Sequence, residues 1–304
     1  MKQDIPEFLK NKLLKQYGEE ILKKIIEGYC AKRKLTFRIN SIKTNKENVI
    51  KFLEENNISY KEVEWYEDAI IVEDSVESII RESSFYENGE IYLQSLSSMI
   101  PPIIIEPKEN ENILDMTAAP GGKTTEMYSL SKGKANITAC EKNKIRAERL
   151  KYNIEKQGAT RIGLLMQDAR RLDQFFMFDK ILLDAPCSGS GTLDLNDEKM
   201  IQSFTEELVN RSVKVQKELI DKALKHIKVG KEMVYSTCSI LKEENEGYLK
   251  ELVKKGIIEI VPIDLTKFIG IPVLPVDIEG TLCVCPTEFY EGFYVAKIKK
   301  IRQM

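Results

Sequence analysis

The chain has 304 residues, with 46 basic and 48 acidic side chains, one histidine and a net charge of −2. This near-neutral balance argues against a strongly basic nucleic-acid-binding protein but is compatible with a local basic surface. No stretch of the sequence approaches the roughly 20 consecutive apolar residues of a membrane-spanning helix. We therefore expect a cytoplasmic protein whose 6 cysteines are reduced.

The first third of the chain predicts a small α+β domain. Apolar residues at helical and alternating spacings indicate its elements. In chain order these are helices within 7–34, separated at Gly18, a strand over 35–42, a helix over 48–56, and strands at 63–66 and 69–73. We place this small domain at residues 1–92.

From Asn112 onward, strand-like runs alternate with helical patterns. The predicted strands are 113–116, 136–140, 163–166, 180–184 and 232–236, and the predicted helices are 124–130, 145–157 and 209–227, the last ended by Gly230. Such alternation predicts a parallel sheet with crossover helices. Strand runs without intervening helices at 257–261, 281–285 and 292–298 predict an antiparallel edge. We place this large domain at residues 93–304.

The segment 114–124 (LDMTAAPGGKT) has the composition of a cofactor-binding loop between a strand and a helix. Its small residues let the backbone approach a ligand closely, and the helix that follows offers free N–H groups. A phosphate-binding loop is the alternative, but Thr117 stands where that motif requires its first glycine. Glu141 and Asp168 follow the next two predicted strands, where carboxylates suit a ribose and an adenine. They could instead simply begin the following helices.

Two further segments, 184–189 (DAPCSG) and 235–239 (YSTCS), each put a cysteine at the end of a predicted parallel strand. Parallel sheets bind their ligands at this edge, and cysteine is a strong nucleophile. Cys187 and Cys238 are therefore candidate catalytic residues. The other cysteines are interpreted as core residues, which is the usual role of cysteine on a strand. They are Cys30, Cys140, Cys283 and Cys285.

These motifs resemble those of the NOL1/NOP2/Sun (RsmB/NOP) family of S-adenosylmethionine-dependent RNA cytosine-5 methyltransferases. The loop is similar to D-x-x-A-A-P-G-G-K-T, and the two cysteine segments are similar to D-A-P-C-S-G and Y-S-T-C-S. Segments 37–40, 94–99 and 292–297 resemble further family motifs. The resemblance implies a Rossmann-like class I methyltransferase domain after a small α+β domain, with S-adenosyl-L-methionine as cofactor.

The resemblance also implies roles for individual residues. Cys238 would attack C6 of the target cytosine, and Cys187 would aid release of the methylated RNA. Asp184 would hydrogen-bond the base and border the cofactor, while Lys123 would lower the pKa of Cys238 or contact the base. The expected cofactor-binding residues are Thr117, Ala118, Ala119, Pro120, Gly121, Gly122, Lys123, Glu141, Arg146, Asp168 and Asp184.

The expected partner is RNA, with rRNA slightly favoured over tRNA and with Arg38 and Asn40 as RNA contacts. We expect no metal, no membrane association and a monomer. One departure from the family stands at Cys283, where an arginine is usual. A DNA methyltransferase that uses Cys187 as its nucleophile, a nucleotide-hydrolysing enzyme and a catalytically silent RNA-binding or ribosome-assembly factor are the alternatives.

Overall fold

The computed structural model describes residues 4–73 and 76–303. Its helices are α1 (Glu7–Cys30), α2 (Lys46–Glu55), α3 (Glu77–Glu82), α4 (Ser84–Glu87), α5 (Leu96–Ile105), α6 (Gly122–Leu130), α7 (Lys144–Lys156), α8 (Glu198–Ser203), α9 (Glu206–His226), α10 (Lys242–Asn245) and α11 (Gly247–Lys254). Its strands are β1 (Leu35–Ile39), β2 (Tyr60–Val63), β3 (Tyr66–Val72), β4 (Ile91–Leu93), β5 (Asn112–Asp115), β6 (Asn136–Cys140), β7 (Ile162–Leu165), β8 (Phe178–Asp184), β9 (Ile227–Thr237), β10 (Ile258–Val261), β11 (Leu282–Val284) and β12 (Phe293–Lys300). Short 3-10 turns lie at Ala169–Arg171 and Leu265–Lys267.

The small domain is built on an antiparallel sheet in the order β2-β3-β1-β4. Phe37 and Ile39 point from β1 into an apolar cluster that they share with residues of α2. Because side chains alternate along a strand, Thr36 and Arg38 lie on the opposite face. Both are buried there and bond to residues outside the sheet's own apolar cluster, so this face of β1 meets the large domain.

Helix α1 packs against the large domain and not against the small sheet. Leu9, Leu13 and Tyr17 belong to the same apolar cluster as Leu183 of β8 and Tyr235 of β9. The backbone leaves the helical region at Gly18, where φ is +77°, which confirms the predicted break. A division of the chain at residue 92 stays a prediction.

The large sheet runs in the order β10-β12-β9-β8-β5-β6-β7. Strands β5 to β9 are parallel, and β10, β11 and β12 pair antiparallel, as the sequence predicts. The chain moves outward from β5 through β6 and β7, then returns to the other side of β5 as β8. The sheet therefore reverses its order between β5 and β8, which is where such folds bind ligands.

The predicted helix 209–227 ends within one residue of the observed end of α9 at His226, but Gly230 is not the residue that ends it. Ile227 is already extended and pairs with Phe178 at the start of β9, and Gly230 lies inside β9 with φ +79°.

The sequence puts His226 in a helix away from every motif, which predicts a surface residue. This prediction is wrong, since His226 is 1% exposed and its Nδ1 lies 2.7 Å from the carbonyl oxygen of Phe176. His226 directly precedes β9, whereas Cys238 follows the end of that strand.

Candidate active site

The two cysteine segments follow neighbouring parallel strands, and the structure brings them together. Asp184, the last residue of β8, is paired with Ser236 of β9. The loops beyond these strands therefore start side by side. Cys187 and Cys238 face each other across them with their Sγ atoms 2.7 Å apart. As whole residues, both cysteines are half-buried.

The two sulfurs lie within hydrogen-bonding distance, and either S–H can donate to the other sulfur. The interaction with Cys238, burial and the nearby carboxylate of Glu244 together raise the pKa of the Cys187 thiol well above its ordinary value. A thiolate is the nucleophilic form of cysteine. The site therefore holds two candidate nucleophiles in contact, and the surroundings of Cys187 oppose the charge of its thiolate.

An ion pair lies beside the two thiols. Lys123 Nζ is 2.8 Å from Asp184 Oδ2, and it also donates to Ser98 Oγ at 2.8 Å. Ser236 Oγ donates to the other carboxylate oxygen of Asp184 at 2.7 Å. Burial opposes the charge of Lys123, but the carboxylates of Asp184 and Asp115 outweigh it and hold the pKa of Lys123 above its ordinary value. Lys123 is thus a fixed ammonium group next to the pair.

The loop between β5 and α6 borders the same site. Gly121 has φ +111°, and a Cβ there would lie 2.9 Å from Leu150 Cδ1, so a side chain is excluded. Thr117 Oγ1 donates to the carbonyl oxygen of Asp184 at 2.8 Å, which ties the loop to the end of β8. Below the loop, burial raises the pKa of Asp115 to about 6, and Thr124 Oγ1 donates to its carboxylate at 2.7 Å.

A cavity of about 230 Å³ opens between this loop and the segment after β4. Its lining contains most of the predicted cofactor loop together with Lys123 and Asp184. It also contains Tyr92, Leu93, Gln94, Ser95 and Ser98, for which the sequence suggested no role. A larger cleft of about 1750 Å³ lies between α1 and the segment 270–290 and holds none of the predicted catalytic residues.

Glu141 and Asp168 occupy the expected strand ends but differ in their surroundings. Glu141 is 5% exposed, accepts from the Asn143 N–H at 2.8 Å and faces Arg146 at 3.6 Å. Arg146 also donates to the carbonyl oxygen of Ala119 at 2.7 Å, so it connects Glu141 to the loop. Asp168 caps the turn Ala169–Arg171 and pairs with Arg170, which holds the pKa of its carboxyl at about 2.

The structure corrects the expectation that Arg38 and Asn40 contact RNA. Arg38 is fully buried, where it bonds to Gln94 and Thr125. Asn40 is 2% exposed and donates to the carbonyl oxygens of Gly89 and Gln157. Both side chains join the small domain to the large one, and neither can reach an RNA.

No candidate metal centre is found in residues 4–73 and 76–303, where no three His, Cys, Asp or Glu side chains are grouped to hold an ion. Over the same ranges no helix has the length and apolar character to cross a membrane.

Comparison with known families identifies the large domain. Residues 102–299 match the family model for the 16S rRNA methyltransferase RsmB/F. The chain belongs to this RsmB/F methyltransferase family. Residues 5–78 match the ferredoxin-like domain of RsmF/B-like methyltransferases. The resemblance drawn from the three motifs is thereby confirmed.

Relatives of this chain are named for different RNA substrates. A tRNA (cytosine(72)-C(5))-methyltransferase of Pyrococcus horikoshii is 35% identical over 233 residues, covering 74% of this chain and 56% of that protein. Ribosomal RNA small subunit methyltransferase F of Shewanella piezotolerans is 31% identical over 308 residues, covering 99% of this chain and 62% of that protein. The chain thus spans somewhat more than half the length of these relatives.

A solved structure shares the fold over nearly the whole chain. It is a methyltransferase homolog protein from Pyrococcus horikoshii, with a TM-score of 0.80 and 28% identity. The match covers 98% of this chain and 100% of the other. The mostly parallel sheet and the separate small antiparallel sheet are therefore features of this family of structures.

The residue at the family's usual arginine position, Cys283, is 3% exposed on β11. Burial raises its pKa to about 12, and the Tyr17 hydroxyl of α1 lies against it. This thiol is a packing residue.

Glu244, for which the sequence suggested no role, is buried behind the two loops that carry Cys187 and Cys238. Both serines of the repeated Cys-Ser pairs at 187–188 and 238–239 donate to Glu244. The repeat was therefore the one feature of the sequence that could have indicated a shared acceptor behind the two loops.

Proposed function

We propose that this chain is an RNA (cytosine-5)-methyltransferase that uses S-adenosyl-L-methionine as methyl donor. The observation that carries the proposal is the pair of thiols 2.7 Å apart beside the Lys123–Asp184 ion pair. This pair lies at the carboxyl edge of the sheet, next to the glycine loop. Membership of the RsmB/F family and the names of both relatives support the same chemistry.

The residues at the strand ends suit this cofactor. The glycines of the loop leave room for a ligand against the backbone, and the first turn of α6 presents free N–H groups. We assign Glu141, which directly follows β6, to a ribose hydroxyl pair, with Arg146 orienting its carboxylate. We assign Asp168 to the adenine, although its carboxylate is already paired with Arg170. When bound, the cofactor supplies an electrophilic methyl group on a sulfonium.

The protein must make cytosine C5 reactive, because this carbon is a weak nucleophile. Addition of the Cys238 thiolate to C6 would form an Sγ–C6 bond and shift electron density to C5. With the cofactor bound, C5 would take its methyl group and leave the sulfonium sulfur as a neutral thioether. Transfer of the C5 proton to solvent would then restore the double bond and expel the Cys238 thiolate. Covalent catalysis of this kind replaces one difficult step with two easier ones.

The neighbouring side chains have distinct parts in this scheme. Asp184 accepts hydrogen bonds from the N3/N4 edge of the base and stabilises the adduct. Lys123 holds the carboxylate of Asp184 in place and provides positive charge near the attacking sulfur. Cys187 lies against the sulfur of Cys238, and we propose that it assists release of the methylated RNA.

The substrate is proposed to be rRNA, with tRNA nearly equally supported, since the relatives include both kinds of enzyme. The target cytosine has to leave its stack for C6 to approach a thiol inside a pocket. A cytoplasmic location and a monomeric state stay predictions.

The test is methyl transfer from radiolabelled S-adenosyl-L-methionine to transcripts of small-subunit rRNA and of tRNA, followed by mapping of 5-methylcytosine. We expect label only at cytosine C5 and in one of the two RNA classes. The Cys187→Ala variant should accumulate an RNA–protein adduct that survives a denaturing gel, because release is blocked.

Two results would contradict the proposal. RNA binding without methyl incorporation would indicate a silent assembly factor. Normal turnover of Cys187→Ala, with no adduct, would remove the release role of this residue.

A further inference from the structure

A buried carboxylate lies directly behind the two cysteine loops. Glu244 is on the short helix α10 and is 2% exposed. Its Oε1 accepts from the Ser188 N–H at 2.7 Å and from the amide of Gln216 at 3.3 Å. Its Oε2 accepts from the hydroxyls of Ser188 and Ser239, each at 2.6 Å. Each serine directly follows one of the two cysteines.

The carboxylate therefore connects the two loops through the residues next to the reactive sulfurs. Other bonds across the loops exist, since Ser190 Oγ lies 2.8 Å from Ser239 Oγ and the Gly191 N–H donates to the carbonyl oxygen of Cys238 at 3.0 Å. Glu244 differs from them because a single group receives donors from both Cys-Ser pairs. A charged acceptor with four donors forms stronger bonds than neutral pairs do.

We propose that Glu244 is a positioning residue that holds the Cys187 and Cys238 thiols at their working separation. This inference rests on the proposed two-cysteine reaction. Glu244 touches neither sulfur and acts through Ser188 and Ser239. Its loss lets the two loops move apart. A displacement of about 1 Å at reacting groups lowers a rate by about a hundredfold.

The first experiment measures the separation of the sulfurs without RNA or cofactor. The reduced protein is treated with diamide, which takes two electrons and two protons from a pair of thiols and becomes the hydrazine as a disulfide forms. Peptide mapping then quantifies the Cys187–Cys238 bond over time. We expect Glu244→Ala to form this bond at least about tenfold more slowly than the unmodified chain, because the effective concentration of one thiol at the other falls.

Two further variants distinguish positioning from general stability. Glu244→Gln keeps an acceptor for the Ser188 N–H and can donate to the two serine hydroxyls, so we expect it to restore the rapid reaction. Glu246→Ala is the matched control. Glu246 is equally buried, two residues further on, but it accepts from the Asp277 N–H and faces Lys250, away from both loops. Its removal should leave the rate of disulfide formation unchanged.

The second experiment is single-turnover methyl transfer with saturating cofactor and RNA. Glu244→Ala should lower the transfer rate by about a hundredfold while the cofactor Kd changes by less than about twofold, since Glu244 has no contact with the cofactor loop. If Glu244→Ala does not fold, Ser188→Ala serves in its place, because it removes one hydroxyl donor to Glu244 and keeps the Ser190–Ser239 bond across the loops.

The two experiments fail in different ways. An unchanged or faster disulfide rate in folded Glu244→Ala overturns the positioning role whether or not the chain methylates RNA. Equal losses in Glu244→Gln and Glu244→Ala would also overturn it. A slower disulfide rate in Glu244→Ala, combined with no RNA methylation by the unmodified chain, would support the positioning role of Glu244 and contradict only the proposed function.

Discussion

The carboxyl edge of the large sheet has a cysteine half, beyond β8 and β9, and a cofactor half, beyond β6 and β7. The two halves hold their functional groups by different means. Beyond β8 and β9, the cysteine loops are tied to a carboxylate that is 2% exposed and has four donors. Beyond β6 and β7, the acidic residues Glu141 and Asp168 are held by arginine side chains that are 54% and 34% exposed. Covalent chemistry needs reacting atoms fixed to within about 0.5 Å, whereas a ligand held by many contacts tolerates a looser support. We therefore expect substitutions in the cysteine half to affect rate and those in the cofactor half to affect affinity.

The largest effect is expected for Cys238→Ala. This change removes the attacking sulfur, so methyl transfer should fall to background while cofactor affinity is retained. Turnover and cofactor Kd are measured together, with Cys285→Ala as control because that thiol is packed in the core. Activity in Cys238→Ala combined with none in Cys187→Ala would reverse the roles of the two cysteines.

Asp184→Asn should have the next largest effect. The substitution leaves the ammonium group of Lys123 beside the site without its carboxylate at 2.8 Å and weakens contact with the base. We expect kcat to fall by about a hundredfold, the size typical for loss of one electrostatic stabiliser. Asp179→Asn is a matched control, since Asp179 pairs with Lys228 at 2.8 Å near the other end of the same strand. An equal loss in both variants would indicate a general effect on β8.

The cysteine loops could be predicted from the sequence because local patterns determine them. An apolar run before each Cys-Ser pair indicates a buried strand, and neighbouring parallel strands end at one edge. The surroundings of Arg38 and Glu244 could not be predicted, since their partners Thr125 and Ser188 lie 87 and 56 residues away. The sequence alone does not distinguish a buried arginine from an exposed one. Arg38 is buried because β1 packs on the large domain.

Substitutions at Glu141 and Asp168 should have a smaller effect, on cofactor affinity, and the size of this effect should differ between the two residues. Glu141→Ala removes a carboxylate that Arg146 orients toward the loop, so we expect the cofactor Kd to rise by about tenfold, the cost of losing about one hydrogen bond to a charged group. Asp168→Ala should raise it less, because Arg170 already occupies that carboxylate. Isothermal titration calorimetry measures both values. A larger effect for Asp168→Ala would place the adenine closer to Arg170 than we propose.

The smallest effect is expected on the free energy of unfolding, and it comes from Glu126 in the helix that follows the cofactor loop. Glu126 of α6 is fully buried, and Gln94 Nε2 donates to its Oε2 at 2.6 Å. Its Oε1 has no hydrogen-bond partner among the described residues. Burial raises the pKa of Glu126 to about 8 from an ordinary value of 4.5, against the opposing charge of Arg38. The folded protein therefore keeps a proton that the unfolded chain has already lost between these two values.

The free energy of unfolding should consequently fall as pH rises toward 8, by at most about 1.4 kcal/mol per pH unit from this group. Glu126→Gln cannot titrate, so the difference in stability between it and the unmodified chain should change with pH by that amount. Chemical denaturation between pH 6.5 and pH 8 avoids the window of Asp115, whose pKa is about 6. Glu54→Gln makes the same carboxylate-to-amide change at an exposed position and is the control. A flat difference for Glu126→Gln would mean that Glu126 is already ionised in the folded protein, and that Arg38 outweighs burial at this contact between the two domains.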